Sequence, residues 1–304
     1  MHHLFFQCIF AADIQQTSYT DMKKILLLIA AVGLLTGFIS CSDDEPKRGD
    51  SVFTVNTAMI NHIVNTTSGS VIGISDTHNR LTLDTLKHTA VLELNYNDGN
   101  GTRSISLQDI KATAKRLGFY ELTASGNGQV RDFKGYVDFN EGSLRYRYTT
   151  TDGIRVISTT PEVFFLKTKN VITYDDTTKA TTMDDVMYQF EVSPVTARAV
   201  IKVMGIVHAK EMKYFTNITA TSVPVTVTAD GYSFQGQDIA TTAMFRNWTD
   251  SVGVPSIKTT DKYPFKTFNA KVDLANDTLV INYMIGSSAT VVASGRTYPD
   301  YTAY

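Results

Sequence analysis

Strand-forming residues occur in this chain in short alternating runs, and almost every run is closed by Gly, Asn, Asp or Pro. Val, Thr, Tyr and Phe suit a pleated, half-buried surface, and turn residues at short intervals leave little room for long helices, so the pattern constrains the chain to a mainly β fold. The sharpest instance is Ala90-Val91-Leu92-Glu93-Leu94-Asn95-Tyr96, followed at once by Asn97-Asp98-Gly99-Asn100-Gly101. Asp-Gly and Asn-Gly supply the positive φ that tight hairpins need, and Ser104-Ile105-Ser106-Leu107 is the expected return strand. Further strands are expected at Leu81–Leu83, Lys134–Phe139, Leu144–Tyr148, Ile154–Ile157 and Val163–Leu166. One short amphipathic helix is expected among them. Ser106 caps it, Leu107, Ile110, Ala114 and Leu117 share a face, Lys111, Lys115 and Arg116 face solvent, and Gly118 stops it.

Length divides this β-rich chain in two. About 260 residues beyond the N-terminal leader exceed one typical core and suit two units of roughly 120 residues each. The expected architecture is two tandem β-sandwich domains, residues 52–167 and 188–304, joined by a polar, Thr-rich linker over 168–187. An internal repeat agrees with that division. Phe133, Val137, Asp138, Leu144 and Tyr148 recur as Phe268, Val272, Asp273, Leu279 and Tyr283 at an offset of 135. Gln108-Asp109-Ile110 recurs as Gln237-Asp238-Ile239, and Phe53-Thr54-Val55 is echoed by Phe190-Glu191-Val192, at offsets of 129 and 137.

The N-terminal region has a different character. Lys23-Lys24 precede an apolar run from Ile25 to Ile39, which is short for a membrane span and has the charged and hydrophobic regions of a secretory signal. Residues 1–21 are expected to be an upstream extension, 22–40 the signal and 41–51 a flexible tether. Phe38-Ile39-Ser40-Cys41 resembles a lipobox, with Phe38 where Leu is usual, and the resemblance implies lipid on Cys41 as the first mature residue. Ser42-Asp43-Asp44-Glu45 resembles the export signal of Bacteroidetes lipoproteins, which implies display on the outer face of the outer membrane.

Composition excludes several kinds of chemistry. The formal charge of −2 is unchanged when the leader is removed, so no basic excess favours nucleic acid. Cys8 lies in the leader and Cys41 is the lipid position, which leaves the body without disulfides, thiolate metal sites or a cysteine nucleophile. His62, His78, His88 and His208 show no metal-ligand spacing. Asp175-Asp176 and Asp184-Asp185 lack the pattern of a calcium loop. No nucleophile elbow accompanies Asp76-Thr77-His78. The sole tryptophan, Trp248, is the candidate ligand platform, since sugars stack on exposed Trp.

Thr196–Val203 and Phe215–Pro224 resemble the opening strands of fimbrillin-like domains, the transthyretin-like β-sandwiches of Bacteroidetes pili and pilus anchors. The resemblance implies a non-enzymatic cell-surface lipoprotein, an adhesin or fimbria-associated structural or anchor component. It would carry no cofactor, metal or nucleic acid, and its partners would be the membrane through Cys41 and pilus subunits or surface glycans. The alternative is a glycan-binding surface lipoprotein partnered with an outer-membrane nutrient importer.

Overall fold

The computed structural model describes residues 51–126, 128–174, 180–184, 186–208, 216–247, 256–287 and 289–297. These residues form twenty strands, and no helix is found among them. The first eight strands are β1 (Val52–Asn65), β2 (Val71–Asp84), β3 (Thr89–Asn97), β4 (Thr102–Arg116), β5 (Phe119–Ala124), β6 (Val130–Asp138), β7 (Ser143–Thr150) and β8 (Ile154–Thr159). They follow one another in an antiparallel meander, and β1 pairs with β8 to close a barrel. The first half is therefore a closed barrel, not the expected sandwich. Eight strands enclose an interior just wide enough for side chains to fill. Here Leu81, Leu92, Ile110, Phe133, Tyr146 and Tyr148 fill it, with Tyr146 and Tyr148 stacked at 6.2 Å between ring centres.

The helix expected from Ser106 to Leu117 is strand β4, and the reason lies in its register. Leu107 pairs with Leu92 and Ile110 with Ala90, so Gln108 and Asp109 together oppose Val91 alone. This β-bulge carries Asp109 into the left-handed region at φ 55° and turns a spacing of two into a spacing of three. Two inward residues three apart imitate a helical stripe. Leu117, the last member of that stripe, is 93% exposed in the β4–β5 turn, where Gly118 adopts φ 77°.

The remaining strands are β9 (Glu162–Phe165), β10 (Lys167–Tyr174), β11 (Ala180–Met183), β12 (Met187–Ser193), β13 (Arg198–Ile206), β14 (Thr216–Thr228), β15 (Gly231–Ile239), β16 (Thr242–Asn247), β17 (Ser256–Thr260), β18 (Phe265–Asp273), β19 (Thr278–Ile285) and β20 (Ala289–Arg296). They make one long sheet, ordered β11-β10-β20-β19-β18-β15-β14-β13-β12-β9, with the β16–β17 hairpin added beside β14. One end, β9, and the strand next to the other end, β10, come from nearly one stretch of chain, with only Leu166 between them. The sheet is thus curled on itself around a single core containing Phe165, Phe190, Phe234, Phe265 and Tyr283. The 168–187 stretch expected as a linker carries β10, which pairs with β20 along its whole length, and β11. Only Thr160 and Pro161 connect the barrel to the second sheet.

The register shows how far the two halves correspond. Val137 pairs with Leu144 and Tyr148 with Val156, while Val272 pairs with Leu279 and Tyr283 with Val291, so the offset of 135 holds across three strands of each half. The β4 bulge has a counterpart where Val200 on β13 opposes Thr221 and Ser222 on β14. The other two sequence matches fall on strands that do not correspond, β4 against β15 and β1 against β12. A match invisible in sequence takes their place. Asn61 lies opposite Ser158 in the β1–β8 ladder, and Asn170 lies opposite Ala293 in the β10–β20 ladder, and both asparagines are fully buried.

Each asparagine ties its core together with hydrogen bonds. Asn61 donates to Thr77 Oγ1 at 2.8 Å and to the Asn95 carbonyl at 3.2 Å, and accepts from the Ser158 hydroxyl. Asn170 donates to Thr168 Oγ1 and to the Met183 carbonyl, and accepts from the Tyr188 hydroxyl at 2.6 Å. Truncation would strand several buried groups, each costing about 1–3 kcal/mol. Asn61→Ala is therefore expected to destabilise the protein by roughly 2–4 kcal/mol in urea unfolding, and an unchanged midpoint would refute the structural role given to this network.

Candidate functional site

Alternation along β7 puts Leu144, Tyr146 and Tyr148 inside the barrel and Arg145 and Arg147 on its outer wall. β8 adds Arg155 and Ile157 to the same wall, and β1 adds Ile60 and His62. This wall docks on the second unit. Ile157 belongs to the second unit's core, and Ile60 lies with Phe190, Val192, Tyr232 and Val272 around a small cavity. Around that apolar seal the arginines reach the turns between β14 and β15 and between β18 and β19. Arg145 donates to the Leu274 carbonyl and pairs with Asp277 at 2.5 Å, Arg147 donates to the Ala275 carbonyl, and Arg155 donates to the Ala229 carbonyl at 2.7 Å. The two turns are themselves joined by the Leu274 N–H, which donates to the Asp230 carbonyl at 2.7 Å.

His62 completes the junction. Its Nε2 lies 2.6 Å from the Thr228 carbonyl, which can only accept, so Nε2 carries the proton of the neutral ring. Nδ1 is buried without a hydrogen-bond partner, and Tyr232 meets the ring edge-on at 6.0 Å. Burial pushes the His62 pKa below its ordinary value, and Arg155 pushes in the same direction, against the Thr228 carbonyl and Asp230.

Beside this junction opens a shallow cleft lined by Tyr136, Glu141, Arg145, Glu162, Phe164 and Thr297 among others. Burial raises the pKa of Glu141, and the neighbouring Asp138 carboxylate raises it further against the pull of Arg116. Burial also lifts the Tyr136 phenol far above its ordinary range. The one buried guanidinium among these named residues, Arg145, is already engaged by the Leu274 carbonyl and Asp277. The cleft's enclosed space, about 20 Å³, has room for a water molecule and falls far below the volume of small-molecule sites.

No protein-family model matches this chain. No curated protein matches it either.

Cys41, Ser42, Asp43, Asp44, Glu45 and Trp248 all lie outside the described residues. The histidines are dispersed. His78 and His88 are exposed, His62 is at the junction, and His208 is buried against Tyr263, with burial alone lowering its pKa to about 4. Among the described residues no group of three or more His, Cys, Asp or Glu side chains could hold a metal ion. Sequence reasoning missed the docking set of Arg145, Arg147, Arg155 and His62. The available signal was Leu144-Arg145-Tyr146-Arg147-Tyr148, where arginines alternate with core residues on a strand flanked on both sides.

Two tests follow from this junction. Arg145→Met removes the donor to Leu274 and the partner of Asp277, whose side chain is 41% exposed and therefore partly screened; a loss of about 1–3 kcal/mol is expected. The pH dependence has a definite sign. Folded His62 titrates below its unfolded value of 6.5, so the unfolded chain takes up the proton first, and stability present above that pH is lost as the pH falls toward the folded pKa. His208 acts in the same sense down to about pH 4. Unfolding free energies from urea titrations between neutral and mildly acid pH should fall by up to about 1.4 kcal/mol per pH unit for each group, and His62→Gln should flatten that slope. An identical slope in His62→Gln would rule out a titrating junction.

Proposed function

We propose that this chain is a non-enzymatic cell-surface lipoprotein, serving as an adhesin or fimbria-associated structural component. In this reading lipid on Cys41 holds it to the outer membrane, and Ser42 to Glu45 direct it outward. The observation that carries the proposal is the fixed docking of two barrel-like units whose interiors are filled by their own side chains. Such a body has outer strand faces and turns available for contact, and the arginine-bound turns hold those faces in one orientation. The fimbrillin-like resemblance concerns the second unit alone. There β13 and β14, which contain much of the segment resembling fimbrillin-like domains, are antiparallel neighbours within the curled sheet.

The alternative, a glycan-binding surface lipoprotein partnered with a nutrient importer, is favoured by one observation. The exposed face of β19, β18 and β15 lines up Asn282, Asn269 and Gln235, whose amides can both donate and accept hydrogen bonds. Deleting the gene is expected to reduce adhesion or surface appendages, and cells unchanged in both would overturn the main reading. Cys41→Ala is expected to abolish palmitate labelling and membrane retention; a variant still labelled and still retained would overturn the lipid anchor.

A further inference from the structure

The outer face of β10, β20, β19 and β18 gathers positive charge in a chain whose formal charge is −2. Lys167 on β10 stands directly opposite Arg296 on β20. Lys169 follows on the same face of β10, opposite Ser294, and the same row continues through Val280 on β19 to Lys271 on β18. All four cations are exposed. Like charges placed directly opposite in a sheet repel, and no ion pair to any of the four is found among the described residues. The acids nearby are otherwise placed. Asp273 accepts both the backbone N–H and the side-chain amide of Asn276, and Asp184, just beyond β11, makes no ion pair with Lys169. The arrangement costs stability unless an outside anion relieves it.

The rest of the face indicates which anion. The next row of cross-strand neighbours runs Val171, Val292, Asn282, Asn269 and Gln235. Val171, Val292 and Val280 are 38%, 48% and 59% exposed and give low apolar relief, while the amides add donors and acceptors beside the charges. From strand spacing, the cations lie about 5 Å apart across β10 and β20, about 7 Å apart along β10, and roughly 14 Å apart from Lys169 to Lys271. No aromatic side chain stands on these rows to stack a nucleobase. Nor do these rows carry the large apolar residues that insert among lipid chains.

We propose that this face binds an extended polyanionic glycan, sulfated or rich in uronic acids, lying across the strands with its anions on Lys167, Arg296, Lys169 and Lys271 and its hydroxyls on Asn282, Asn269 and Gln235. The proposal deepens the adhesion reading by naming a partner class. Its test uses purified full-length protein, so it can fail while surface display stands, and it can succeed where deletion of the gene leaves adhesion unchanged.

Immobilised heparin and hyaluronate are the probes, with neutral dextran as reference. Wild type is expected to be retained on one or both polyanions at about 50 mM salt, to be released at about 500 mM, and to pass through dextran. Lys169→Glu combined with Lys271→Glu should weaken binding at least tenfold, whereas Lys111→Glu, an exposed cation on the barrel, should leave it within about twofold. Lys169→Gln with Lys271→Gln, checked for an unchanged urea midpoint, should weaken it about fivefold and guards against misfolding of the charge-reversed form. Asn269→Ala with Asn282→Ala should weaken it severalfold at constant charge. No retention of wild type, equal retention of both lysine double variants, or equally tight binding to an oligonucleotide or to phosphatidylserine vesicles of matched charge would each overturn the proposal.

Discussion

The structure depends on the ladder between β1 and β8, six residue pairs from Ile60–Thr159 to Asn65–Ile154. It forms between the two ends of a meander about a hundred residues long, so its closure entropy must be met by everything that gathers there. Its inner side carries Asn61 and Ser158, which bond to one another inside the barrel. Its outer side carries Ile60, His62, Arg155 and Ile157, which seal and clasp the second unit. Closing the barrel and building the surface that the second unit sits on are therefore one event. A chain in which β1 failed to reach β8 would lose both.

The second unit repeats that plan with its closing strand interrupted. Leu166 divides one stretch into β9, paired with β12 at one end of the sheet, and β10, paired with β20 near the other, without a continuous ladder. Asn170 keeps the buried position that Asn61 holds in the barrel, but it is satisfied by Tyr188, Thr168 and the Met183 carbonyl instead of a serine across the ladder. Two buried amides at corresponding places with different partners fit a duplicated unit whose cores have since diverged. The β16–β17 hairpin, which enters where the barrel has only the short turn between β5 and β6, is the main addition.

Much of the strand order was legible because turn chemistry is local. The Asn97–Gly101 turn and the strands on either side of it needed no knowledge of distant partners. The bulge at Asp109 misled for a physical reason, since a two-against-one mismatch shifts inward residues to a helix-like spacing that only the opposing strand exposes. The 168–187 stretch read as a linker because half of β10 faces solvent with Lys167, Lys169, Val171 and Thr173, and because its partner β20 lies more than a hundred residues away. Barrel closure was illegible for the same reason. The docking arginines were visible as residues but not as a set, because they act mostly on backbone carbonyls of turns far away in the chain. The expected lipid, export and Trp248 positions lie outside the described residues and stand as sequence readings.

The two-residue connection at Thr160 and Pro161 bears on how the molecule carries a load. A tether pulling on Ser51 would draw β1 along its own axis, and the bonds of antiparallel ladders lie perpendicular to that axis. Such a pull loads the β1–β2 and β1–β8 rungs together instead of peeling them singly. With no slack between the units and the arginine-held turns bracing the junction, tension entering at one end would reach the far sheet almost undiminished. The body would behave as a stiff post, able to pass force from an anchored base to whatever is gripped at its outer face.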